Sequence, residues 1–172
     1  MEQKLHTPEG VRDIYNKECE TKLALQRKLS KVLHLYGYQD IQTPTFEYYE
    51  VFRKEIGSTS TQELYKFFDR EGNILALRPD ITPSVARAAA TLFESEDMPI
   101  RLCYAGNPFI NHSSYQGRLK ENTQLGAELI GLDSVEADAE MLAMVADSLK
   151  QIGLQEFQIS LGHVDFIRSL LK

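Results

Sequence analysis

Between residues 124 and 129 the side chains change character at every step. Gln124, Gly126 and Glu128 alternate with Leu125, Ala127 and Leu129. A period of two suits a β-strand with one greasy and one polar face and is incompatible with a helix. A second apolar run, residues 100–106, precedes it across a polar loop holding Arg118, Lys120 and Glu121. Two such runs joined by one loop read as antiparallel neighbours, so the chain is committed to a sheet before anything else is considered.

The remaining segments fit around that sheet. From Glu18 to Tyr36, Leu25, Leu29, Val32, Leu33 and Tyr36 recur at spacings of three and four, the stripe of an amphipathic helix, and Gly37 stands where helices end. The stretch YQDIQTPTFEYYE reads as a strand interrupted at Pro44, which cannot donate to a ladder. ELYKFFDREGNILALRPD reads as a hairpin turning at Asp69–Gly72. Thr82 before Pro83 reads as an N-cap with proline at the first helical position. Asp133 and Glu136 open a further helix whose buried stripe is expected to be Leu142, Val145, Leu149 and Ile152. A short strand is expected in EFQISLGH and a helix from Val164 onward. Hairpin-linked strands with helices set apart imply an α+β fold on an antiparallel sheet flanked by helices. Because apolar Phe166, Ile167, Leu170 and Leu171 begin a helix at the very last residues, the chain is expected to be an N-terminal fragment of a fuller domain.

Composition excludes several classes of function. A formal charge of −6 over 172 residues argues against a general nucleic-acid surface. No apolar run reaches the ~18–20 residues of a membrane span, and the opening MEQKLHTPEGVRD lacks the apolar stretch of a secretory leader. Cys19 and Cys103 show no metal-ligand spacing and no disulfide framework, so reduced thiols in a cytoplasmic protein without metal or cofactor are expected. Neither a glycine-rich phosphate loop nor a Ser or Cys nucleophile motif is present.

Three polar sets carry what chemistry there is. Arg78 and Asp80 share a side if their strand extends that far, with Thr82 just beyond. Asp80 would accept from a ligand ammonium, helped by the Thr82 hydroxyl; an internal Arg78–Asp80 pair with a simple helix cap fits the same spacing. Gln124, Gly126 and Glu128 suit a small ligand lying on the sheet, or equally a solvated face with an edge glycine. Arg118 and Lys120 are possible anion contacts, or merely solvated loop cations. His112 and His163 have no spacing that marks them as bases or ligands.

Taken jointly, TPEGVRD, the long helix leading into a strand that ends at Pro44, ELYKFFDREGNILALRPDIT and the 100–130 hairpin resemble the core of histidyl-tRNA synthetase, a class II aminoacyl-tRNA synthetase, over essentially all of residues 1–172. The resemblance implies a partial class II core, with motif 1 at about 18–44, motif 2 at about 100–130 and motif 3 absent. It further implies an amino-acid pocket of Asp80, Thr82, Gln124 and Glu128, and a homodimer through motif 1. The motif 2 arginine and glutamate of that family fall on Ile110 and His112, with Phe109, Gly117 and Arg118 kept and Lys120 at the second basic position. Isoleucine cannot replace a planar bidentate cation on a phosphate. A disarmed adenylation site is therefore implied, with no catalytic residue and no tRNA partner.

LRPDITPSVARAAA, RLCYAG, GAELIG and LGH are closer still to the regulatory subunits of ATP phosphoribosyltransferase, paralogues of the synthetase. That likeness implies a non-catalytic protein of histidine biosynthesis. It would activate the short catalytic subunit and mediate feedback by histidine, bound either in the retained pocket or at a subunit interface. An active synthetase in which Arg118 or Lys120 replaces the lost arginine, or a synthetase-like regulator sensing another amino acid, are the other readings.

Overall fold

The computed structural model describes residues 5–53, 60–95, 98–113, 117–162, 164 and 168–169. Four helices, α1 (Asn16–Leu35), α2 (Glu50–Arg53), α3 (Thr82–Leu92) and α4 (Val135–Gln151), accompany six strands: β1 (Gln39–Asp40), β2 (Phe46–Tyr48), β3 (Lys66–Phe68), β4 (Ile74–Leu77), β5 (Ile100–Gly106) and β6 (Gln124–Ile130). The α+β class holds.

The strands form two three-stranded sheets, ordered β1-β5-β6 and β2-β4-β3. In the first, β5 and β6 are antiparallel, pairing Leu102 with Glu128, Tyr104 with Gly126 and Gly106 with Gln124. This pairing is the hairpin expected from the alternation. The sheet is not purely antiparallel, however, because β1 runs parallel to β5, Asp40 opposite Cys103. The single strand expected across Pro44 is in fact two strands in different sheets, β1 beside β5 and β2 antiparallel to β4. Pro44 lies in the gap between them, where no ladder donor is required.

The β3–β4 hairpin turns as expected. Asp69 Oδ1 accepts from the backbone N–H groups of Glu71 and Asn73 at 3.0 and 2.8 Å, an aspartate-stabilised turn. α1 ends ahead of Gly37, whose φ of +85° is open to glycine at little cost.

Helix starts depart from expectation. At α3 the capping position is Ile81, and Thr82 is already helical. Asp80 supplies the acceptor instead, its Oδ1 taking the N–H of Ile81 at 2.7 Å, which frees the Thr82 hydroxyl for another partner. At α4 the cap is Ser134, whose hydroxyl accepts from Ala137 N at 3.2 Å, and not Asp133. Ser134→Ala should therefore cost about 1 kcal/mol in thermal or urea unfolding, with Asp133→Ala nearly neutral. A larger loss from Asp133→Ala would refute this assignment.

The first sheet is covered on both faces. On one, Ile81 and Val85 pack against Ile100, Leu102 and Tyr104. On the other, Leu33 from α1 and Met144 from α4 close over Tyr38 and Cys103, with Leu125, Ala127 and Leu129 beside them. Each fully buried aliphatic side chain here contributes roughly 1.5–3 kcal/mol. The expected stripes are only partly buried. On α1, Val32 and Leu33 are buried while Leu25 is exposed; on α4, Ala137 and Met144 are buried while Val145 is exposed.

Leu25, Leu29, Leu125, Met141, Val145 and Leu149 line an open apolar groove of about 1070 Å³ between the two helices. The strand expected at 156–163 does not form over residues 156–162. Residue 156 is a bend and 157–162 belong to no regular element, and among the described residues no neighbouring strand pairs with them. His163 lies outside the described residues, as does most of the helix expected from Val164.

Candidate amino-acid site

β4 stops at Leu77, so Arg78 and Asp80 do not share a strand face, and among the described residues they form no ion pair. Arg78 is a buried strut instead. Its Nε donates to Asn107 O at 3.0 Å, and its Nη1 donates to Thr43 O and Pro44 O at 2.9 and 3.3 Å. The guanidinium passes directly over Gly106, where a Cβ would come within 2.6 Å of Nη2. The strut thereby ties the β1–β2 link to the end of β5 and holds the next two residues, Pro79 and Asp80, at the sheet surface.

Asp80, Thr82, Gln124 and Glu128 are brought into one hydrogen-bonded set. Gln124 Nε2 donates to Asp80 Oδ1 at 3.1 Å, joining the start of α3 to β6. Thr82 Oγ1 donates to Glu128 Oε1 at 2.8 Å. Tyr104, not singled out from the sequence, completes the set: its hydroxyl donates to the same Glu128 oxygen at 3.1 Å and lies 3.3 Å from Thr82 Oγ1. The β5–β6 register carries the clue, since Tyr104 sits opposite Gly126 on the polar face of β6. Gly126 exists for that ring, because a Cβ there would stand 2.5 Å from the tyrosine oxygen. The space left by the glycine is therefore filled by Tyr104, not by open sheet surface.

The electrostatics of the set are lopsided. Two half-buried carboxylates share it, and among the described residues neither forms an ion pair with a basic side chain. Each also keeps one oxygen, Asp80 Oδ2 and Glu128 Oε2, with no hydrogen bond from a described residue. Gln124 Oε1 is buried and likewise unpartnered. Burial first, then the neighbouring carboxylates, push the Tyr104 hydroxyl up to about 12, so it stays a donor throughout the physiological range. Among the described residues the set therefore holds three acceptors without a donor and no cation, a surplus of negative charge and hydrogen-bond capacity.

The hairpin loop is arranged differently. Ile110 N–H donates to Lys120 O at 2.9 Å, and His112 Nδ1 lies 3.2 Å from Glu63 Oε1, so the His112 ring is occupied by the turn at Thr61–Glu63. The Lys120 stem packs on Gly10, whose Cβ would fall 2.6 Å from Lys120 Cγ, and Arg118 is exposed. Neither cation bonds to the four-residue set. The apolar groove lies across β6, on the face of Leu125 and Ala127, and contributes nothing to this site. Among the described residues no helix is long and apolar enough to cross a membrane.

Residues 10–172 match the family model of histidyl-tRNA synthetase. An ATP phosphoribosyltransferase regulatory subunit from Acetivibrio thermocellus is 43% identical over 171 residues, 99% of this chain and 41% of that protein. Among solved structures, an ATP phosphoribosyltransferase regulatory subunit/histidyl-tRNA synthetase from Bacillus halodurans superposes with a TM-score of 0.88 at 37% identity, over 98% of this chain and 43% of the other. Histidyl-tRNA synthetase from S. aureus, without ligand, superposes at 0.73 and 29% identity, over 88% of this chain and 35% of its own. The chain thus spans about two fifths of the length of the curated relatives it matches.

Proposed function

The chain belongs to the histidyl-tRNA synthetase family, and from that premise we propose that it works as a regulatory subunit of ATP phosphoribosyltransferase. In this reading it binds the short catalytic subunit, activates it and carries the inhibitory signal of histidine, while performing no chemistry itself. Relatives at 37–43% identity over nearly all of this chain bear that name.

One observation carries the proposal: the cation-free pair of carboxylates, Asp80 and Glu128, cross-linked by Thr82, Gln124 and Tyr104. Such a set accepts the ammonium of an amino acid without acting on it. Histidine bound there regulates only by preferring one state of the complex, and a tenfold preference corresponds to about 1.4 kcal/mol of coupling. The other half of a synthetase's task is missing by type of residue. At the motif 2 positions stand Ile110 and His112, and His112 already faces Glu63. Loss of one preorganised charge stabiliser lowers a rate by about 10²–10³, so adenylation is disarmed. Residues 18–44 and 100–130 serve as the first two class II motifs, the former pairing two copies of the chain. Arg118, exposed, and Lys120, half-buried against Gly10, are left as loop cations without a nucleotide role.

The test is to add the full-length protein to a short-form ATP phosphoribosyltransferase and follow condensation of ATP with phosphoribosyl pyrophosphate, with and without histidine. Activation that histidine reverses is expected. An unchanged rate, or histidine-dependent ATP–pyrophosphate exchange by the protein alone, overturns the reading.

A further inference from the structure

Away from the amino-acid site, the end of α1 and the parallel β1–β5 pair bring together three residues with the side chains of a metal shell. We infer that His34, Asp40 and Cys103 bind a zinc-like divalent cation. Their ligand atoms all lie within 4.8 Å of one another. His34 Nε2 is 3.0 Å from Asp40 Oδ2, and Cys103 Sγ is 3.5 Å from Asp40 Oδ1. Zinc bonds of about 2.0 Å to nitrogen and oxygen and 2.3 Å to sulfur place neighbouring tetrahedral ligands about 3.3–3.7 Å apart. The two short distances run to different oxygens of Asp40, and with one ligand atom from each residue the widest separation stays within 4.8 Å, so side-chain rotation closing about 1 Å brings the three to shell spacing.

The frame behind them is rigid. Asp40 and Cys103 are direct partners in the parallel ladder, and Ile41 N–H donates to Cys103 O at 2.9 Å. His34 stands in the last turn of α1, next to Leu33, which is buried with Tyr38 and Cys103 in one cluster. Terminal carbonyls of a helix place partial negative charge at that end, which favours a cation. The neighbouring cation on the same face of β5, Arg101, is held by both oxygens of Glu140 at 2.9 and 2.8 Å and does not compete for Asp40.

The donor set identifies the ion. A thiolate beside an imidazole and a carboxylate selects zinc over magnesium or calcium, which require oxygen ligands. Burial of Cys103 behind Leu33, Tyr38 and Met144 shields the sulfur, whereas His34 and Asp40 are 46% and 68% exposed and leave the outer side of the shell open to water. On binding, the Cys103 S–H bond breaks, its proton passes to solvent and the sulfur lone pair fills the metal bond; the cation takes one nitrogen, one oxygen, one sulfur and a water.

Cobalt(II) titration of the full protein tests this. One equivalent per chain should produce a thiolate-to-cobalt charge-transfer band that zinc abolishes. Cys103→Ser should lose the band and Cys19→Ser should keep it. Because Cys103 is buried and its variant can misfold, the exposed positions decide the matter: His34→Gln and Asp40→Asn should each weaken zinc binding at least about 10-fold in calorimetry, with circular dichroism unchanged. A wild-type protein without the band, a band lost in Cys19→Ser, or zinc affinity equal to wild type in a folded His34→Gln variant would each overturn the assignment.

Discussion

Glu128→Ala is expected to weaken histidine binding to the full protein by about 10- to 100-fold in calorimetry, the equivalent of one charge-assisted hydrogen bond of about 1.5–3 kcal/mol. The side chain has two duties. Its Oε1 receives the hydroxyls of Thr82 and Tyr104 at 2.8 and 3.1 Å, and its Oε2 receives nothing from the described residues. Truncation removes the idle acceptor and also releases two donors beside it. Glu128→Gln separates the duties: an amide oxygen still accepts from Thr82 and Tyr104, but the charge is gone. Affinity should therefore fall in this variant as well, with the melting temperature near that of the parent. Histidine affinity unchanged in both variants would move the effector to a different place in the assembly, and the proposed pocket would fail while activation of the catalytic subunit could still stand.

What the sequence revealed and what it hid separate along a physical line. Local periodicities survived: the alternation from Gln124 to Leu129 lies in β6, the turn at Asp69–Gly72 was found, and α1 ended before Gly37. Each depends on neighbours within a few residues. Hidden features depend on groups far apart in the chain. β1 is two residues long and has no period to detect, so its parallel pairing with β5 is a tertiary fact. Tyr104 looked like an ordinary aromatic of a strand until the register set it against Gly126 and Glu128. The three residues of the inferred metal shell come from α1, β1 and β5, so no spacing rule could have joined them. Two caps were assigned to the wrong neighbour, Thr82 for Asp80 and Asp133 for Ser134, because several acceptors in a row compete for the same N–H groups and one-residue geometry decides. Within the candidate site, then, the residues that meet could be named from the sequence and the bond pattern could not.

Arg78→Ala should be the most destabilising single change in the described structure, costing about 3–4 kcal/mol in denaturant unfolding. Arg78 is buried at 8% exposure, yet among the described residues no carboxylate pairs with it. Burial pulls its guanidinium below the ordinary arginine range, and its compensation comes from the carbonyls of Thr43, Pro44 and Asn107. Alanine would leave those acceptors facing a cavity, at roughly 1–3 kcal/mol for each one that water cannot reach. For a domain of this size the loss corresponds to about 6–16 °C in melting temperature. Lysine should rescue little, since one ammonium cannot address acceptors on two sides as the planar fork does.

The consequence extends to function, because Asp80 is only two residues beyond Arg78 and depends on the same strut for its position facing Gln124. A folded Arg78→Lys variant should bind histidine more weakly even though the hydrogen bonds of residue 78 go to Thr43, Pro44 and Asn107 rather than to the site. Stability within 1 kcal/mol of the parent, or unaltered histidine affinity in that variant, would show that Arg78 is neither the fastening of the two sheets nor the support of the carboxylate pair.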